Sequence, residues 1–213
     1  MKRFMGIVSI FIVTSISLTP AHAAQKTPEI KCTATKAVGH TSKVVAPATK
    51  SLSKYPKSFT LDTNCGKIVI TLKKLKAPIT VTQLTTLARA GYFDGSLCHR
   101  LTTQGLFVLQ CGDPTATGRG GPGFAFADEN LPNAVKNNYP EGVVAMANSG
   151  AATNGSQFFL VYGNTTLEPN YTIWGSITEG LDIIKAVANA GVKGGGADGS
   201  PAQVFAINRI VIN

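Results

Sequence analysis

Histidine and cysteine are scarce in this sequence, and their spacing does not suit a metal site. The 213 residues include three histidines and four cysteines, and neither a C-x-x-C nor an H-x-x-x-H pattern occurs. Cys98 and His99 are adjacent, so on a strand their side chains would point to opposite faces. Protein zinc sites need several such ligands at short spacing, and we therefore expect neither a metal nor a cofactor.

The patterns of common nucleophilic and nucleotide-binding enzymes are absent or incomplete. No G-x-S-x-G occurs, and His99, the one histidine after residue 57, is badly placed to activate Cys98. GRGGPG (118–123) matches the dinucleotide pattern G-x-G-x-x-G, but Pro122 interrupts it and no apolar helical pattern follows. We therefore interpret these glycines as a structural loop.

Acidic residues are few, 11 against 20 basic ones, but the imbalance is local. Residues 24–57 contain seven lysines and one glutamate, whereas residues 58–213 contain 11 basic and 10 acidic residues. A nucleic-acid partner is not expected, because the larger region has almost no excess positive charge. We expect residues 24–57 to be a basic, flexible tail or linker whose charge also suits contact with an anionic cell-envelope surface.

Long apolar runs are missing except at the N-terminus. Lys2 and Arg3 precede an apolar stretch at 4–18, and Ala-His-Ala follows it at 21–23. This order is typical of a secretory signal peptide, and the stretch is shorter than the roughly 20 residues that span a bilayer. We predict a cleavable signal peptide at 1–23 and a secreted or extracytoplasmic protein; an uncleaved anchor is the alternative.

Residues 58–213 are enough for one domain with a hydrophobic core. Short β-rich runs alternate with Gly, Asn and Pro, and two stretches have helical spacing instead. We expect strands at 58–64, 67–74, 98–101, 107–111, 143–148, 157–162, 171–177 and 204–213, and helices beginning at Pro78 and spanning 181–190. This pattern indicates a mainly β fold, either a closed barrel or a sandwich, with two helices.

Four cysteines in an exported protein favour two disulfides. We favour Cys98–Cys111 and Cys32–Cys65, although four cysteines allow three pairings. Strand alternation raises one objection. If Arg100 shares a face with the residue before Cys111, then Cys98 and Cys111 lie on opposite faces, and their pairing would need a bulge or an offset.

One fixed charge in apolar surroundings remains as a candidate site. Arg100 and Gln110 stand among large apolar residues, namely Phe107, Val108, Met146, Phe158 and Phe159. A guanidinium in an apolar groove can stabilise developing charge without any nucleophile. Arg100 is therefore the residue to which we assign the chemistry.

Six motifs occur in a fixed order along residues 98–175. They are CHR (98–100), FVLQCGD (107–113), PTATGRGGPG (114–123), FADEN (126–130), GVVAMANSGAATNGSQFFL (142–160) and YTIWG (171–175). With them, residues 58–213 resemble the cyclophilins, a family of peptidyl-prolyl cis–trans isomerases that has FHR and FMxQGGD at the first two positions. HRLTT and LQCGDPT make the chain most similar to the extracytoplasmic actinobacterial members.

The resemblance implies a closed eight-stranded antiparallel β-barrel capped by two α-helices, with a proline groove on its outer face. By position, the catalytic residue is Arg100. The substrate-binding residues carried over by position are Phe107, Val108, Gln110, Gly118, Ala147, Asn148, Ser149, Gln157, Phe159, Leu167 and Tyr171. We expect a monomer that acts on proline-containing polypeptides.

The sequence departs from the family pattern at four places. Two extra residues lie between Arg100 and Phe107, and this departure alone could disturb the catalytic geometry. Val108 replaces a usual methionine, Tyr171 a frequent histidine and Thr166 a frequent tryptophan. In the family that tryptophan donates its indole N–H to cyclosporin, so we expect weak cyclosporin binding; Trp174 should pack inside the barrel and cannot substitute.

The implied reaction suits one fixed guanidinium. Rotation about an X–Pro bond meets a barrier of about 18–20 kcal/mol and takes tens to hundreds of seconds, which can limit folding. In the twisted transition state the prolyl nitrogen gains a lone pair, and a donor there favours that state alone. We therefore predict an isomerase that assists folding of secreted or cell-envelope proteins. The alternative is a non-catalytic proline-peptide-binding or chaperone module with the same groove.

Overall fold

The computed structural model describes residues 30–213, so the predicted signal peptide lies outside the described residues. Within 30–213, no helix has the length and hydropathy that a membrane crossing requires. In chain order the elements are β1 Ser58–Thr63, β2 Gly66–Leu72, α1 Pro78–Arg89, β3 Ser96–Leu97, β4 Arg100–Thr102, β5 Val108–Cys111, β6 Val143–Met146, β7 Phe158–Val161, β8 Ile173–Glu179, α2 Leu181–Asn189, β9 Asp198–Gly199 and β10 Ala206–Ile212.

The strands form one antiparallel sheet, and this sheet has ten strands where a closed barrel of eight was expected. The order is β3-β10-β1-β2-β8-β6-β7-β5-β4-β9, which gives ten strands, with β3 and β9 at the two ends. Both end strands have only two residues. Sequence periodicity needs longer runs than this, so it found neither of them.

The sheet curls until its two ends approach each other. β3 and β4 are consecutive in the chain, yet they pair near opposite ends of the strand order. Between them, the Cys98 N–H bonds to the Phe205 carbonyl at 2.9 Å, and the His99 N–H bonds to the Gln110 carbonyl at 3.0 Å. The chain therefore passes from one end of the sheet to the other at these two residues, and the result is a curled half-barrel with two helices.

The interior of the curled sheet is filled by large apolar side chains. Trp174 is 1% exposed and lies inside, as expected, with its ring centroid 6.1 Å from Phe59 and 5.6 Å from Phe158. Met146 and Phe158 also point into this core, where both are fully or almost fully buried. Their expected place beside Arg100 is therefore wrong, because alternation along β6 and β7 sends them to the inner face.

Helix α1 begins where the sequence predicted and is fixed by an acidic residue far along the chain. Pro78 is the first helical residue, and Gly91 follows the helix with a φ of 64°. The carboxylate of Glu129, from the FADEN motif, accepts hydrogen bonds from the N–H groups of Ile79 at 3.0 Å and Thr80 at 2.8 Å. A carboxylate stabilises the positive end of a helix dipole, so this motif has a structural role.

Residues 30–57, part of the segment expected to be a tail or linker, contact the domain at several points. They have no regular secondary structure, but the Ala48 backbone makes two hydrogen bonds with the Gln83 side chain, at 2.9 and 3.0 Å. The His40 N–H also bonds to the Pro114 carbonyl at 2.8 Å. Composition missed these contacts because their partners are individual side chains and carbonyls of the domain, not a periodic apolar face.

Both disulfides have the pairing that the sequence analysis favoured, Cys32 with Cys65 and Cys98 with Cys111. The first ties residues 30–57 to the β1–β2 turn. The second joins the bend after β3 to the end of β5. Because Cys98 lies outside both β3 and β4, strand alternation does not apply to it, and the objection to this pair disappears.

We expect the folded chain to have no free thiol and reduction to lower its Tm. The bridges connect cysteines 33 and 13 residues apart, and closing loops of such lengths is typically worth about 2–4 kcal/mol. Thiol titration in denaturant without reductant measures the first effect, and thermal unfolding with and without reductant measures the second. Four titratable thiols, or a Tm that reductant leaves unchanged, would contradict this expectation.

Candidate active site

The outer face of the sheet carries a second apolar cluster, separate from the core. Its members come mainly from β5, β6, β7 and β8; they are Val108, Tyr139, Val143, Ala145, Phe159, Val161 and Ile173. Val108 and Phe159 are 4% and 5% exposed, so neighbouring side chains cover most of this apolar floor. An apolar floor on the outside of a sheet suits a small apolar ligand group such as a prolyl ring.

Leu167 and Tyr171 pack against the same cluster from the loop before β8. Tyr139, which sequence reasoning missed, holds that loop: its hydroxyl donates to the Tyr171 carbonyl at 3.1 Å and accepts from the Tyr171 N–H at 3.0 Å. Burial raises the pKa of Tyr139 to about 12, so the hydroxyl keeps its proton and its donor role. Tyr139 therefore shapes one wall of the groove.

Arg100 lies at the edge of this groove, opposite Gln110 in the β4–β5 ladder. The two extra residues after Arg100 fall in the connection between the strands, so they do not shift this pairing. Arg100 Nη1 donates to Gln110 Oε1 at 3.3 Å, and Nε and Nη2 bind Asp198. The hydrogen bonds that Arg100 donates to the Asp198 carboxylate raise the pKa of Arg100, and the guanidinium is therefore charged at any relevant pH.

A chain of amide side chains continues from Arg100. Gln110 Nε2 donates to Gln157 Oε1 at 2.8 Å. Gln157 Nε2 then donates to the carbonyls of Gly118 at 3.0 Å and Gly120 at 2.8 Å. Each glutamine is thereby held in one orientation, and Gly118, with a φ of 75°, forms the turn that brings its carbonyl within reach.

These groups line a cavity of about 760 Å³ next to the apolar floor. Six of the residues assigned from the sequence line it: Gln110, Gly118, Ala147, Asn148, Ser149 and Gln157. The Asn148 side chain is engaged, since Nδ2 donates to the Asn170 carbonyl at 2.8 Å and Oδ1 accepts from the Gly150 N–H at 3.2 Å. Among the hydrogen bonds of residues 30–213, none uses the Ala147 carbonyl or the Asn148 N–H. Those two main-chain groups can receive a peptide.

The glycine-rich loop beside the cavity is built around Asp113. Its buried carboxylate accepts hydrogen bonds from the N–H groups of Thr115 at 2.8 Å, Thr117 at 3.1 Å and Gly120 at 3.1 Å. Burial acts to raise the pKa of Asp113, but hydrogen bonds from Thr115 and Gly120 outweigh it and leave the pKa below its usual value. The GRGGPG segment is therefore a structural loop around a buried carboxylate.

His99 lies beneath the same loop. Burial lowers its pKa, Asp113 acts in the opposite direction, and the positive charge of Arg100 lowers the pKa further. Within the described part of the chain, neither ring nitrogen has a hydrogen-bond partner. A Cβ atom at Gly118 would lie 3.5 Å from His99 Nε2, so the ring packs directly against the loop. His99 therefore supports the loop as a neutral ring.

Phe107 is separated from the apolar floor. Its ring packs edge-on against Tyr162 at a centroid distance of 6.0 Å and lines a different depression with Asn164 and Lys185. Phe107 precedes β5, and alternation from Val108 turns it away from the groove face. Its assignment to the proline pocket, which rests on the resemblance alone, stays a prediction.

No cluster of His, Cys, Asp or Glu suitable for a metal ion is present in residues 30–213. What the geometry brings together is an apolar floor, a fixed cation at its edge and an unused main-chain carbonyl and N–H along one side. Such a site can bind an extended peptide and direct a hydrogen bond at an atom above the floor. It offers no nucleophile paired with a base.

The sequence of this chain is similar to those of known peptidyl-prolyl cis-trans isomerases. Residues 58–212 match the family model described as "Cyclophilin type peptidyl-prolyl cis-trans isomerase/CLD". The protein named "Probable peptidyl-prolyl cis-trans isomerase B" from Mycobacterium tuberculosis is 43% identical over 167 residues, and that from Mycobacterium leprae is 43% identical over 175 residues. These matches cover 73% and 77% of this chain but 54% and 57% of the relatives, so the chain spans little more than half their length.

Solved structures give the same result for the fold. A crystal structure of a cyclophilin type peptidyl-prolyl cis-trans isomerase from Cryptosporidium parvum superposes with a TM-score of 0.64 at 29% identity, covering 75% of this chain and 98% of that chain. A second structure of that protein, in the presence of the dipeptide Ala-Pro, has a TM-score of 0.63 at 28% identity, covering 73% of this chain and 98% of that chain. The family model, the relatives and the shared fold agree that this chain belongs to the cyclophilin-type peptidyl-prolyl cis-trans isomerase family.

Proposed function

We propose that this chain is an enzyme that accelerates cis–trans isomerisation of X–Pro bonds, with Arg100 as the catalytic residue. The observation that carries the proposal is the charged guanidinium fixed beside Gln110 at the edge of the apolar floor. As the amide twists, the prolyl nitrogen loses resonance and becomes a hydrogen-bond acceptor. A donor held near it stabilises the transition state more than the planar ground states, which is the requirement for catalysis.

The substrate would bind with its prolyl ring on Val108 and Phe159, between the wall of Leu167 and Tyr171 and the guanidinium. Residues before the proline would run along the cavity, with main-chain hydrogen bonds to the Ala147 carbonyl and the Asn148 N–H. The Ala-Pro dipeptide used with the Cryptosporidium relative supports a proline-containing peptide as the ligand class. Ser149, Gly118 and Gln157 line the space for those residues, and no cofactor or nucleic acid is needed.

We also propose an extracytoplasmic setting and a monomeric enzyme. The two disulfides support the setting because such bonds persist in oxidising compartments. In this proposal residues 1–23 are a signal peptide, residues 58–213 are the isomerase domain, and the clients are secreted or cell-envelope proteins, as in the extracytoplasmic actinobacterial type. In this proposal the sheet is a closed barrel of eight strands. This number treats β3 and β4 as one bent strand and leaves out the two-residue strand β9.

The basic segment suggests contact with an anionic cell-envelope surface. Lys54 and Lys57 line a cavity of about 890 Å³ together with Lys74 and Arg89, and the neighbouring Leu75 is 91% exposed. None of these four cations belongs to the ion pairs found in the described residues. Clustered cations beside an exposed leucine suit anionic headgroups, each cation near the surface adding roughly 1 kcal/mol.

Vesicles containing anionic lipid should therefore co-sediment with the chain at low salt, whereas neutral vesicles should not. The triple variant Lys54→Gln, Lys57→Gln, Lys74→Gln should lose most of this binding, and a matched variant with the exposed Lys67, Lys136 and Lys193 changed to Gln should keep it. Equal loss in both variants would show that only net charge matters and would contradict a localised surface.

The second candidate function is a binding module that holds proline-containing segments without accelerating their cis–trans isomerisation. The exposed cavity and free main-chain groups would serve it equally well, so the distinction is kinetic. In refolding of a protein limited by X–Pro isomerisation, the enzyme speeds the slow phase at a molar ratio far below one. A binder leaves the rate unchanged or slows it in proportion to its concentration, and that result would overturn the catalytic proposal.

A further inference from the structure

Arg100 makes its shortest contacts with a residue outside the groove. Arg100 Nε donates to Asp198 Oδ1 at 2.8 Å, and Nη2 donates to Asp198 Oδ2 at 2.6 Å. Two parallel N–H···O bonds between the planar guanidinium and the planar carboxylate fix rotation about the end of the arginine side chain. With Nη1 on Gln110 at 3.3 Å, the guanidinium is held on two sides.

The fold supplies Asp198 from a loop that is anchored to the catalytic strand. β9 pairs with β4, with Asp198 opposite Thr102. The Thr103 N–H bonds to the Ala197 carbonyl at 2.8 Å, just beside it. The loop 192–201 therefore has its position set by the same strand that carries Arg100, so the carboxylate and the guanidinium keep a fixed separation.

The contact is too exposed to serve mainly as a source of stability. The side chains of Arg100 and Asp198 are 41% and 53% exposed, and ion pairs in such positions contribute little to folding. The pair Lys185–Glu141 is comparable, at 2.7 Å with 44% and 40% exposure, and neither residue belongs to the apolar cluster or lines the peptide cavity. The two pairs differ in that only one of them holds the cation at the groove.

We propose that Asp198 is a positioning residue for catalysis, holding Arg100 so that its remaining N–H donors face the prolyl nitrogen of the bound peptide. This inference rests on the proposed function. Asp198 belongs neither to the apolar cluster nor to the lining of the peptide cavity, so we expect it to act through Arg100. The hydrogen bond with Arg100 lowers the pKa of Asp198, which keeps the carboxylate ionised and the clamp intact near neutral pH.

Kinetics of an X–Pro peptide separate this role from a structural one. Asp198→Ala should lower kcat roughly 10-fold with KM within about twofold, because a misdirected donor weakens the transition state and not peptide binding. Asp198→Asn keeps one acceptor and should lose less. Glu141→Ala breaks the comparable surface pair and should leave both constants unchanged.

A double-mutant cycle completes the test. If Asp198 works only through Arg100, adding Asp198→Ala to Arg100→Ala should cause no further loss of kcat beyond about twofold. Three results would overturn the positioning role of Asp198: additive losses in the double variant, a change confined to KM, or a wild-type kcat in Asp198→Ala. If Arg100→Ala is slow in the same experiments, the proposed function still holds. A wild-type kcat in Arg100→Ala itself would overturn the proposed function.

Discussion

Arg100→Ala is expected to lower kcat/KM for an X–Pro peptide by at least about 100-fold, the effect typical of removing one preorganised donor from a transition state. The loss should fall on kcat, because the apolar floor of Val108 and Phe159 and the main-chain groups at 147–148 still bind the peptide. Steady-state isomerisation measured over a range of peptide concentrations gives both constants. Titration of a proline peptide gives the affinity independently.

Arg209→Ala is the matched control for the same substitution. Arg209 is an exposed arginine paired with Asp62 at 3.4 Å, and it lies on β10, away from the groove. Its loss should leave turnover unchanged. Arg100→Lys should fall between wild type and Arg100→Ala, because an ammonium keeps the charge but cannot contact Asp198 and Gln110 with a planar fork. Turnover near the wild-type value in Arg100→Ala would remove the catalytic assignment.

Thr166→Trp is expected to raise cyclosporin affinity about ten- to a hundredfold while leaving peptide turnover within about twofold. Thr166 is exposed and directly precedes Leu167 on the groove wall. Its hydroxyl accepts a hydrogen bond from the Asn137 N–H at 2.9 Å, so it offers a ligand one short donor and no flat surface. An indole would add a buried hydrogen bond and an aromatic contact, together worth roughly 1–3 kcal/mol.

Thr166→Phe separates the two contributions, because phenylalanine supplies the ring but no N–H. We expect it to gain only part of the affinity of Thr166→Trp. Titrating cyclosporin against isomerase activity for the wild type and both variants provides the measurement. Tight inhibition of the wild type, or no gain in the tryptophan variant, would show that this position does not govern cyclosporin binding here.

Local patterns in the sequence were sufficient for much of the fold and for the centre of the site. The sequence analysis grouped Arg100 with Gln110 as one candidate site, and they are direct partners in the ladder. Helix punctuation placed the start of α1 at Pro78 and the extent of α2 to within one residue. In each case the deciding interaction is between residues close in the chain, so periodicity and turn chemistry carry the information.

Features decided by distant contacts were not predictable in the same way. Asp198 is 98 residues from Arg100 and lies in a glycine-rich loop with no periodicity, so nothing in the sequence connects the two. Met146 and Phe158 were assigned to the groove because they are apolar and near the motif, whereas the register of β6 and β7 places them in the core. The bend at Cys98 and the docking of residues 30–57 likewise depend on partners that only the folded sheet brings near.

Catalysis of X–Pro isomerisation at the groove can be measured directly. Exchange NMR on a short peptide such as one containing Ala-Pro, with the chain at about one hundredth of the peptide concentration, measures the cis–trans rate directly. Uncatalysed exchange takes tens of seconds or more, so exchange on the millisecond-to-second scale would demonstrate turnover. We predict that acceleration for the wild type and its near-complete loss in Arg100→Ala. An unchanged exchange rate in the presence of a folded wild-type chain that still binds the peptide would show that the groove does not catalyse isomerisation.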